Sequence, residues 1–109
     1  MDLGLTDKRA LILGGSRGLG QGIAEQLAAE GANVALCGRD GAAMQTQAEE
    51  LANRTSIKAK GYRLDLTEAS SVADLITSVT EEFGGIDIVV NNGGGPPPGA
   101  IAAANPEVI

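Results

Sequence analysis

The sequence has no histidine and no tryptophan, a single cysteine, Cys37, and an aromatic content of only 2%. With one thiol the chain cannot form an internal disulfide. Without histidine it cannot build a Cys/His zinc site or a histidine-dependent catalytic triad. These absences disfavour metal-dependent and hydrolytic functions.

Long apolar runs and a basic charge balance are also missing. No segment reaches the roughly 18 consecutive apolar residues that a membrane-spanning helix needs, and residues 1–10 carry charges without the apolar centre of a signal peptide. The formal net charge is -6, whereas a nucleic-acid backbone or an anionic membrane requires a basic face. We therefore expect a cytoplasmic protein that binds neither nucleic acid nor membrane.

What the sequence does contain is an alternation of short apolar runs with longer amphipathic stretches. Strands are predicted over residues 8–13, 33–38, 57–64 and 86–90, and helices over residues 18–30, 41–53 and 68–83. This alternation is typical of βαβ units around a parallel sheet. With right-handed crossovers the strand order is 3-2-1-4, which predicts a partial Rossmann-type doubly wound α/β fold as one domain over residues 1–109.

Local signals refine the predicted helices. The apolar positions expected to face the sheet are Leu19, Ile23 and Leu27 in the first helix, Met44, Ala48 and Leu51 in the second, and Val72, Leu75, Ile76, Val79 and Phe83 in the third. Asp40 and Thr67 are the candidate N-caps of the second and third helices. Gly31 is expected to end the first helix, and residues 84–85 the third.

The segment after the fourth strand is GGGPPPG, residues 93–99. It predicts neither helix nor strand, because proline lacks the backbone donor and glycine lacks stiffness. The fourth strand is then expected to be an open edge of the sheet. A parallel strand as apolar as residues 86–90 is normally paired on both sides, so we expect a domain truncated after this strand, with further sequence or a partner molecule at the edge.

Between the first strand and the first helix lies GGSRGLG, with glycines in the pattern GxxxGxG. Gly14 allows a tight turn, Gly18 leaves room for a pyrophosphate, and Gly20 allows close packing of helix and strand. The helix N-terminus adds unpaired N–H groups and a partial positive charge. Gln21 stands where a Walker-type loop has lysine, which disfavours that kind of phosphate site. The alternative for the glycine-rich segment is an ordinary tight turn without a ligand. The predicted phosphate-binding residues are Gly14, Ser16, Arg17, Gly18, Leu19 and Gly20.

The end of the second strand indicates which dinucleotide is bound. A fold that uses NAD usually has an acidic residue about 20 positions after the glycines, on the ribose 2'-hydroxyl. Gly38 takes that place and Arg39 follows it. One charge-assisted hydrogen bond to a 2'-phosphate contributes about 1.5–3 kcal/mol, enough to decide between the two cofactors. The sequence therefore favours NADP(H) over NAD, with Arg17 as a second cation, while the alternative for Arg39 is a solvated turn residue beside Asp40.

Two further strand ends carry candidate binding residues. Asp65 and Leu66 close the third strand, where a doubly wound fold presents side chains to the adenine side of its ligand. The alternative for Asp65 is a surface or capping carboxylate near Thr67. Asn91 and Gly93 follow the fourth strand in the run NNGG, where an amide can bond neighbouring strands and a glycine lets a ribose approach. A structural role and a binding role for Asn91 are equally open.

Together these features resemble the short-chain dehydrogenase/reductase family. LGGSRGLG is similar to the family's TGxxxGxG fingerprint, Asp65-Leu66 to its adenine-side acid, and NNGG to its NNAG. Leu13 stands for the usual Thr and Gly93 for the usual Ala. The run NNGGGPPPG also resembles 3-oxoacyl-carrier-protein-reductase-like members. The resemblance implies an NADP(H)-dependent oxidoreductase acting on a small-molecule carbonyl or alcohol, and a homo-oligomer.

The resemblance also shows what this chain does not contain. The family's catalytic Ser, YxxxK pair and Asn lie beyond the NNAG strand. Here the single tyrosine, Tyr62, is followed four positions later by Leu66, so we interpret it as a strand residue. We therefore predict no catalytic residue in this chain and negligible hydride transfer by it alone. The alternatives are a non-catalytic nucleotide-binding or self-associating module and, disfavoured by the missing acid after the second strand, a methyltransferase-like domain.

Overall fold

Strands and helices alternate along the chain in the predicted order. The computed structural model describes residues 4–14, 18–65, 67–91 and 107–108. Its elements are β1 (Arg9–Leu13), α1 (Gly18–Ala29), β2 (Asn33–Gly38), α2 (Gly41–Thr55), β3 (Ala59–Arg63), α3 (Ala69–Phe83), β4 (Ile88–Asn91) and β5 (Glu107–Val108). The first four strands are parallel and lie in the order β3-β2-β1-β4, which confirms the predicted Rossmann-type fold class.

The expectation of an open edge at the fourth strand is wrong. β5 pairs with β4 in parallel, with Ile88 opposite Glu107 and Val89 opposite Val108. The sheet therefore has five strands in the order β3-β2-β1-β4-β5. Two residues are too few to show an alternating pattern, so β5 gives no sequence signal. This edge consequently supplies no argument for a partner molecule.

The core has two apolar layers, because successive strand side chains point to opposite faces of the sheet. The strand residues that pack against α1 and α2 are Ala10, Ile12, Val34, Leu36, Ile88 and Val90. Those that pack against α3 are Leu11, Leu13, Ala35, Cys37 and Val89. Helices cover both faces, so the polar groups beyond the strand ends are the accessible part of the sheet.

The buried faces of α2 and α3 agree with the prediction, and that of α1 differs from it by one residue. Buried positions are Met44, Ala48 and Leu51 in α2 and Val72, Leu75 and Val79 in α3, with Ile76 and Phe83 partly buried. In α1 the buried stripe is shifted by one residue, to Ala24 and Ala28, each 2% exposed, while Ile23 and Leu27 pack at its rim. Alanine lets α1 approach the sheet closely. This closeness is a property of packing that apolar periodicity alone does not reveal.

One of the two predicted N-caps is confirmed. The Asp40 carboxylate accepts a hydrogen bond from the Ala43 backbone N–H at 3.0 Å, at the start of α2. The prediction for Thr67 is wrong, because Glu68 occupies the cap position of α3 without a side-chain hydrogen bond. The Thr67 hydroxyl instead donates to Asp65. At the other end of α3, Gly84 adopts a φ of 83° and ends the helix as expected.

An ion pair joins the amino ends of β1 and β4. The Arg9 Nε donates to Asp87 Oδ2 at 2.8 Å, and its terminal nitrogen donates to Oδ1 at 3.0 Å. The Arg9 backbone N–H also donates to the carboxylate, and the Asp87 N–H donates to the Arg9 carbonyl. The guanidinium lowers the pKa of Asp87 to about 2. These contacts fix the register of the two strands, and so the alignment of their carboxyl ends.

α2 lies so close to β3 that one position accepts only glycine. A Cβ at Gly61 would overlap the backbone of Met44 and Gln45, and the Gly61 N–H donates to the Gln45 Oε1 at 2.9 Å. Backbone atoms cannot move aside as the tip of a side chain can. The contact therefore joins the helix and the strand through their main chains.

We expect Gly61→Ala to lower the free energy of unfolding by about 1–3 kcal/mol or more, because the added methyl forces α2 off the sheet. Chemical denaturation measures this change. Gly22→Ala is the matched control: Gly22 lies inside α1, and apart from the helix's own adjacent backbone no described atom lies within 4 Å of the added Cβ. That variant should gain up to about 1 kcal/mol. Equal effects of the two substitutions would contradict the close contact.

Candidate cofactor-binding site

The carboxyl ends of the parallel strands meet at one edge of the sheet. Leu13, the last residue of β1, lies opposite Cys37 of β2 and Asn91 of β4. Gly38 of β2 lies opposite Arg63 of β3. β1 has β2 on one side and β4 on the other, so the strand order reverses here. Open α/β sheets bind ligands at such a reversal point, outside the carboxyl ends of the strands.

The chain makes a tight turn at Gly14, directly after β1. Gly14 has a φ of 82°, which favours glycine, and its N–H donates to the Cys37 carbonyl at 2.7 Å. α1 begins at Gly18, and its first turn contains no acidic residue. The positive end of the helix macrodipole is therefore not neutralised from within that turn, and it faces the edge of the sheet where a diphosphate could be held.

Several predicted site residues cannot be placed in this geometry. Ser16, Arg17, Leu66 and Gly93 lie outside the described residues. Gly18, Leu19 and Gly20 belong to the first turn of α1, which places their backbone at the site. Asn91 is the last residue of β4 and is partly buried. The structure thus brings Gly14, the start of α1, Arg39, Asp65 and Asn91 to the same edge.

Gly38, which stands where an NAD-binding fold usually has an acid, is glycine for a packing reason as well. A Cβ at Gly38 would lie 3.1 Å from the Sδ of Met44, a fully buried side chain. The Gly38 carbonyl accepts a hydrogen bond from the Leu64 N–H at 2.8 Å. The end of β2 consequently carries no carboxylate. The next side chain, Arg39, is exposed and contributes to the low pKa of Asp65.

Asp65 is held as an ionised acceptor just past β3. Its Oδ1 accepts hydrogen bonds from the Thr67 hydroxyl at 2.7 Å and from the Thr67 N–H at 2.9 Å. These bonds, the hydroxyl's above all, lower the pKa of Asp65, and the charges of Arg39 and Arg63 lower it further. Both interpretations of this residue are compatible: the carboxylate closes a local turn, and it remains able to accept from a ligand's amino group.

The sequence did not single out Arg63, which lies at the same edge. Its side chain is 57% exposed, and a terminal nitrogen lies 3.9 Å from both Asp65 Oδ2 and Glu68 Oε1. The residue has the appearance of an ordinary polar strand position in the run YRLD. Only the pairing of β3 with β2, which sets Arg63 opposite Gly38, shows where it lies.

Two other reactive groups, the Cys37 thiol and the Tyr62 hydroxyl, are buried. Cys37 is fully buried in the apolar layer under α3, and burial raises the pKa of its thiol. Tyr62 lies in β3, as interpreted, with a hydroxyl that has no hydrogen-bond partner among the described residues; burial raises its pKa to about 12. No three His, Cys, Asp or Glu side chains in the described part are grouped to hold a metal ion. None of the described helices is long and apolar enough to span a membrane.

Comparison with known proteins identifies the class. The sequence model of the short chain dehydrogenase family matches residues 8–109. The chain is 37% identical over 91 residues to the 3-oxoacyl-acyl-carrier-protein reductase FabG of Aquifex aeolicus, covering 84% of this chain and 37% of the relative. The chain therefore belongs to the short-chain dehydrogenase family, whose members are oxidoreductases.

Solved structures are similar over the same region. The L-sorbose reductase of Gluconobacter frateurii, complexed with NADPH and L-sorbose, has a TM-score of 0.81 and 35% identity, covering 89% of this chain and 37% of that one. An NAD+-bound xylitol dehydrogenase has a TM-score of 0.78 and 28% identity, covering 84% and 35%. The chain spans little more than a third of the length of these proteins.

We expect Thr67→Val to raise the pKa of Asp65 toward its ordinary value, because the hydroxyl donor is the largest stabiliser of its charged form. An NMR titration of the Asp65 carboxyl measures this. Thr46→Val is the control, since the Thr46 hydroxyl bonds only to the Ala42 carbonyl within α2. An unchanged Asp65 pKa in the Thr67 variant would show that the hydrogen bond does not hold the carboxylate.

Proposed function

We propose that this chain is the cofactor-binding part of an NADP(H)-dependent oxidoreductase that reduces a carbonyl or oxidises an alcohol of a small molecule. The observation that carries the proposal is the strand-end edge at β2, where Gly38 presents no carboxylate and Arg39 follows it. The cofactor, when bound, supplies or accepts the hydride. The residues of this chain bind and orient it.

The residues at the edge fit the parts of a dinucleotide phosphate. The turn at Gly14 and the positive end of α1, whose first turn has no acidic residue, suit a diphosphate, with Ser16, Arg17, Gly18, Leu19 and Gly20 in the same segment of sequence. Arg39 suits the 2'-phosphate. Asp65, as an ionised acceptor, suits the amino group of adenine, with Leu66 beside it, and Asn91 and Gly93 suit the ribose on the β4 side.

The choice of NADP(H) over NAD rests on this chain's own residues. The similar proteins do not decide it, because the sorbose reductase is complexed with NADPH and the xylitol dehydrogenase with NAD+. A carboxylate after β2 would repel the 2'-phosphate and hold a ribose hydroxyl instead. In this chain a glycine stands there, and the guanidinium of Arg39 follows it.

We assign the proton-transfer groups to the remainder of the protein. The Cys37 thiol and the Tyr62 hydroxyl, the potential acids in the described sheet, are both buried, and nothing in residues 1–109 matches YxxxK. The chain alone should then bind cofactor without turnover. The name of the Aquifex relative indicates 3-oxoacyl thioesters as the first substrates to try. A cytoplasmic homo-oligomer is part of the proposal.

The complete protein tests the activity directly. Loss of NADPH absorbance is measured with 3-oxoacyl thioesters, keto sugars and other small ketones, and turnover with one of them is the expected result. NADPH bound by an oligomer without turnover of any of these carbonyls would contradict the oxidoreductase function. That outcome would support a non-catalytic nucleotide-binding module.

We expect Arg39→Ala to weaken NADPH binding about ten- to a hundred-fold, because one charge-assisted contact to the 2'-phosphate is lost. Binding of NADH should hardly change. Isothermal titration calorimetry of the complete protein measures both. An unchanged ratio of the two affinities would make Arg39 a solvated turn residue.

A paired substitution at Gly38 separates charge from packing. Gly38→Ala adds the Cβ that meets Met44, and Gly38→Asp adds the same carbon with a carboxylate. Only the aspartate should lower the affinity for NADPH relative to NADH. If alanine and aspartate shift the preference equally, packing rather than charge governs this position.

A further inference from the structure

Arg63 lies beside both the end of β2 and the beginning of α2. It is the last residue of β3 and lies opposite Gly38, the last residue of β2. Its Cβ lies 3.1 Å from the point where a Cβ at Gly41 would be, so the side chain leaves β3 on the α2 side, at the beginning of that helix. Arg63 therefore adjoins the position that distinguishes the two cofactors.

Its present ion pairs hold Arg63 loosely. The guanidinium lies 3.9 Å from both Asp65 and Glu68, beyond hydrogen-bond distance, and more than half of the side chain is exposed. Arg9, in contrast, donates two hydrogen bonds to Asp87 at 2.8 and 3.0 Å. Exposed pairs at long distance contribute little to stability. The guanidinium is consequently available for a stronger acceptor.

The surroundings of Arg63 favour a doubly charged anion. Arg39 follows β2 on the neighbouring strand, and Gly38 between them contributes no carboxylate. The N-terminus of α2 begins at Gly41, and the Asp40 carboxylate that caps it is engaged by the Ala43 N–H. Two guanidinium groups thus lie at neighbouring strand ends, and the charges of both lower the pKa of Asp65. A phosphate offers several oxygens, so it can accept from both arginines.

We propose that Arg63 is a cofactor-specificity residue. Its guanidinium moves from Asp65 and Glu68 to the 2'-phosphate of NADP(H), which it binds together with Arg39. The inference rests on the proposed cofactor function and extends it to a side chain on β3. Moving the guanidinium to the phosphate also leaves Asp65 Oδ2 free to accept from the adenine side of the ligand.

The test compares two probes that differ only in the phosphate: 2',5'-ADP and 5'-AMP. Their affinities for the complete protein are measured by calorimetry for the unmodified chain, Arg63→Ala and Arg63→Lys. Arg63→Ala should weaken 2',5'-ADP about ten-fold and leave 5'-AMP unchanged. Arg63→Lys keeps the charge but loses the bidentate geometry of the guanidinium. The affinity of this variant for 2',5'-ADP should therefore lie between those of the unmodified protein and Arg63→Ala.

Arg54→Ala is the matched control. Arg54 is 59% exposed and also lies in a surface ion pair, with Glu25, but it belongs to the last turn of α2, at the opposite end of the helix. Arg54→Ala removes the same net charge. Its affinity for 2',5'-ADP should stay within about two-fold of that of the unmodified protein, because salt screens charges at long range. Thermal unfolding of each variant shows that the fold is retained.

The outcomes separate the inference from the proposed function. If the unmodified protein prefers 2',5'-ADP and Arg63→Ala retains that preference, Arg63 does not recognise the phosphate, and the cofactor assignment stands. If Arg63→Ala weakens both probes equally, its contact is with the adenosine or is structural, and the inference is wrong. If the unmodified protein shows no preference for 2',5'-ADP, the choice of NADP(H) falls, and the inference falls with it.

Discussion

Burial of both faces of a parallel sheet is the constraint on which this structure depends. The apolar side chains of β1, β2 and β4 point into one of two layers, one under α1 and α2 and the other under α3. The polar residues of these three strands therefore lie at the strand ends, and β1 through β4 finish in register. The two ends differ in what they carry. The amino end holds the Arg9–Asp87 pair, whose hydrogen bonds are all internal, and the carboxyl end holds groups that are weakly engaged or exposed.

Features that depend on a few neighbouring residues could be predicted from the sequence. The strand and helix order, the cap at Asp40 and the end of α3 at Gly84 follow from local chemistry and were confirmed. Thr67 shows the limit of this approach. Its hydroxyl could accept the backbone N–H of an N-cap, but Glu68 holds the cap position and the hydroxyl donates to the Asp65 carboxylate instead. Two good partners within three residues cannot be ranked without their geometry.

Features that depend on packing or pairing could not be predicted. The choice of Ala24 and Ala28 as the buried stripe of α1 follows from how near the helix lies to the sheet. β5 is recognised only by its pairing with β4, and Arg63 gains its interest only from lying opposite Gly38. Within the candidate site, the glycine turn and Arg39 were easier to predict than Arg63. Each lies in a continuous stretch of sequence with a recognisable pattern. The comparisons establish the family, while the cofactor contacts are argued from the geometry of this chain.

The methionine beside Gly38 has a consequence for how cofactor preference can change in such a protein. The tip of Met44 limits the space for any side chain at position 38, and the main chain of Met44 is itself held against Gly61. A new side chain at the end of β2 would meet the flexible thioether of Met44 before any other group, so rotation of that thioether is the smallest movement that makes room for it. The residue that governs nucleotide selectivity is thus coupled to the packing of one core methionine, and a smaller side chain at position 44 would make a larger residue at position 38 easier to accept.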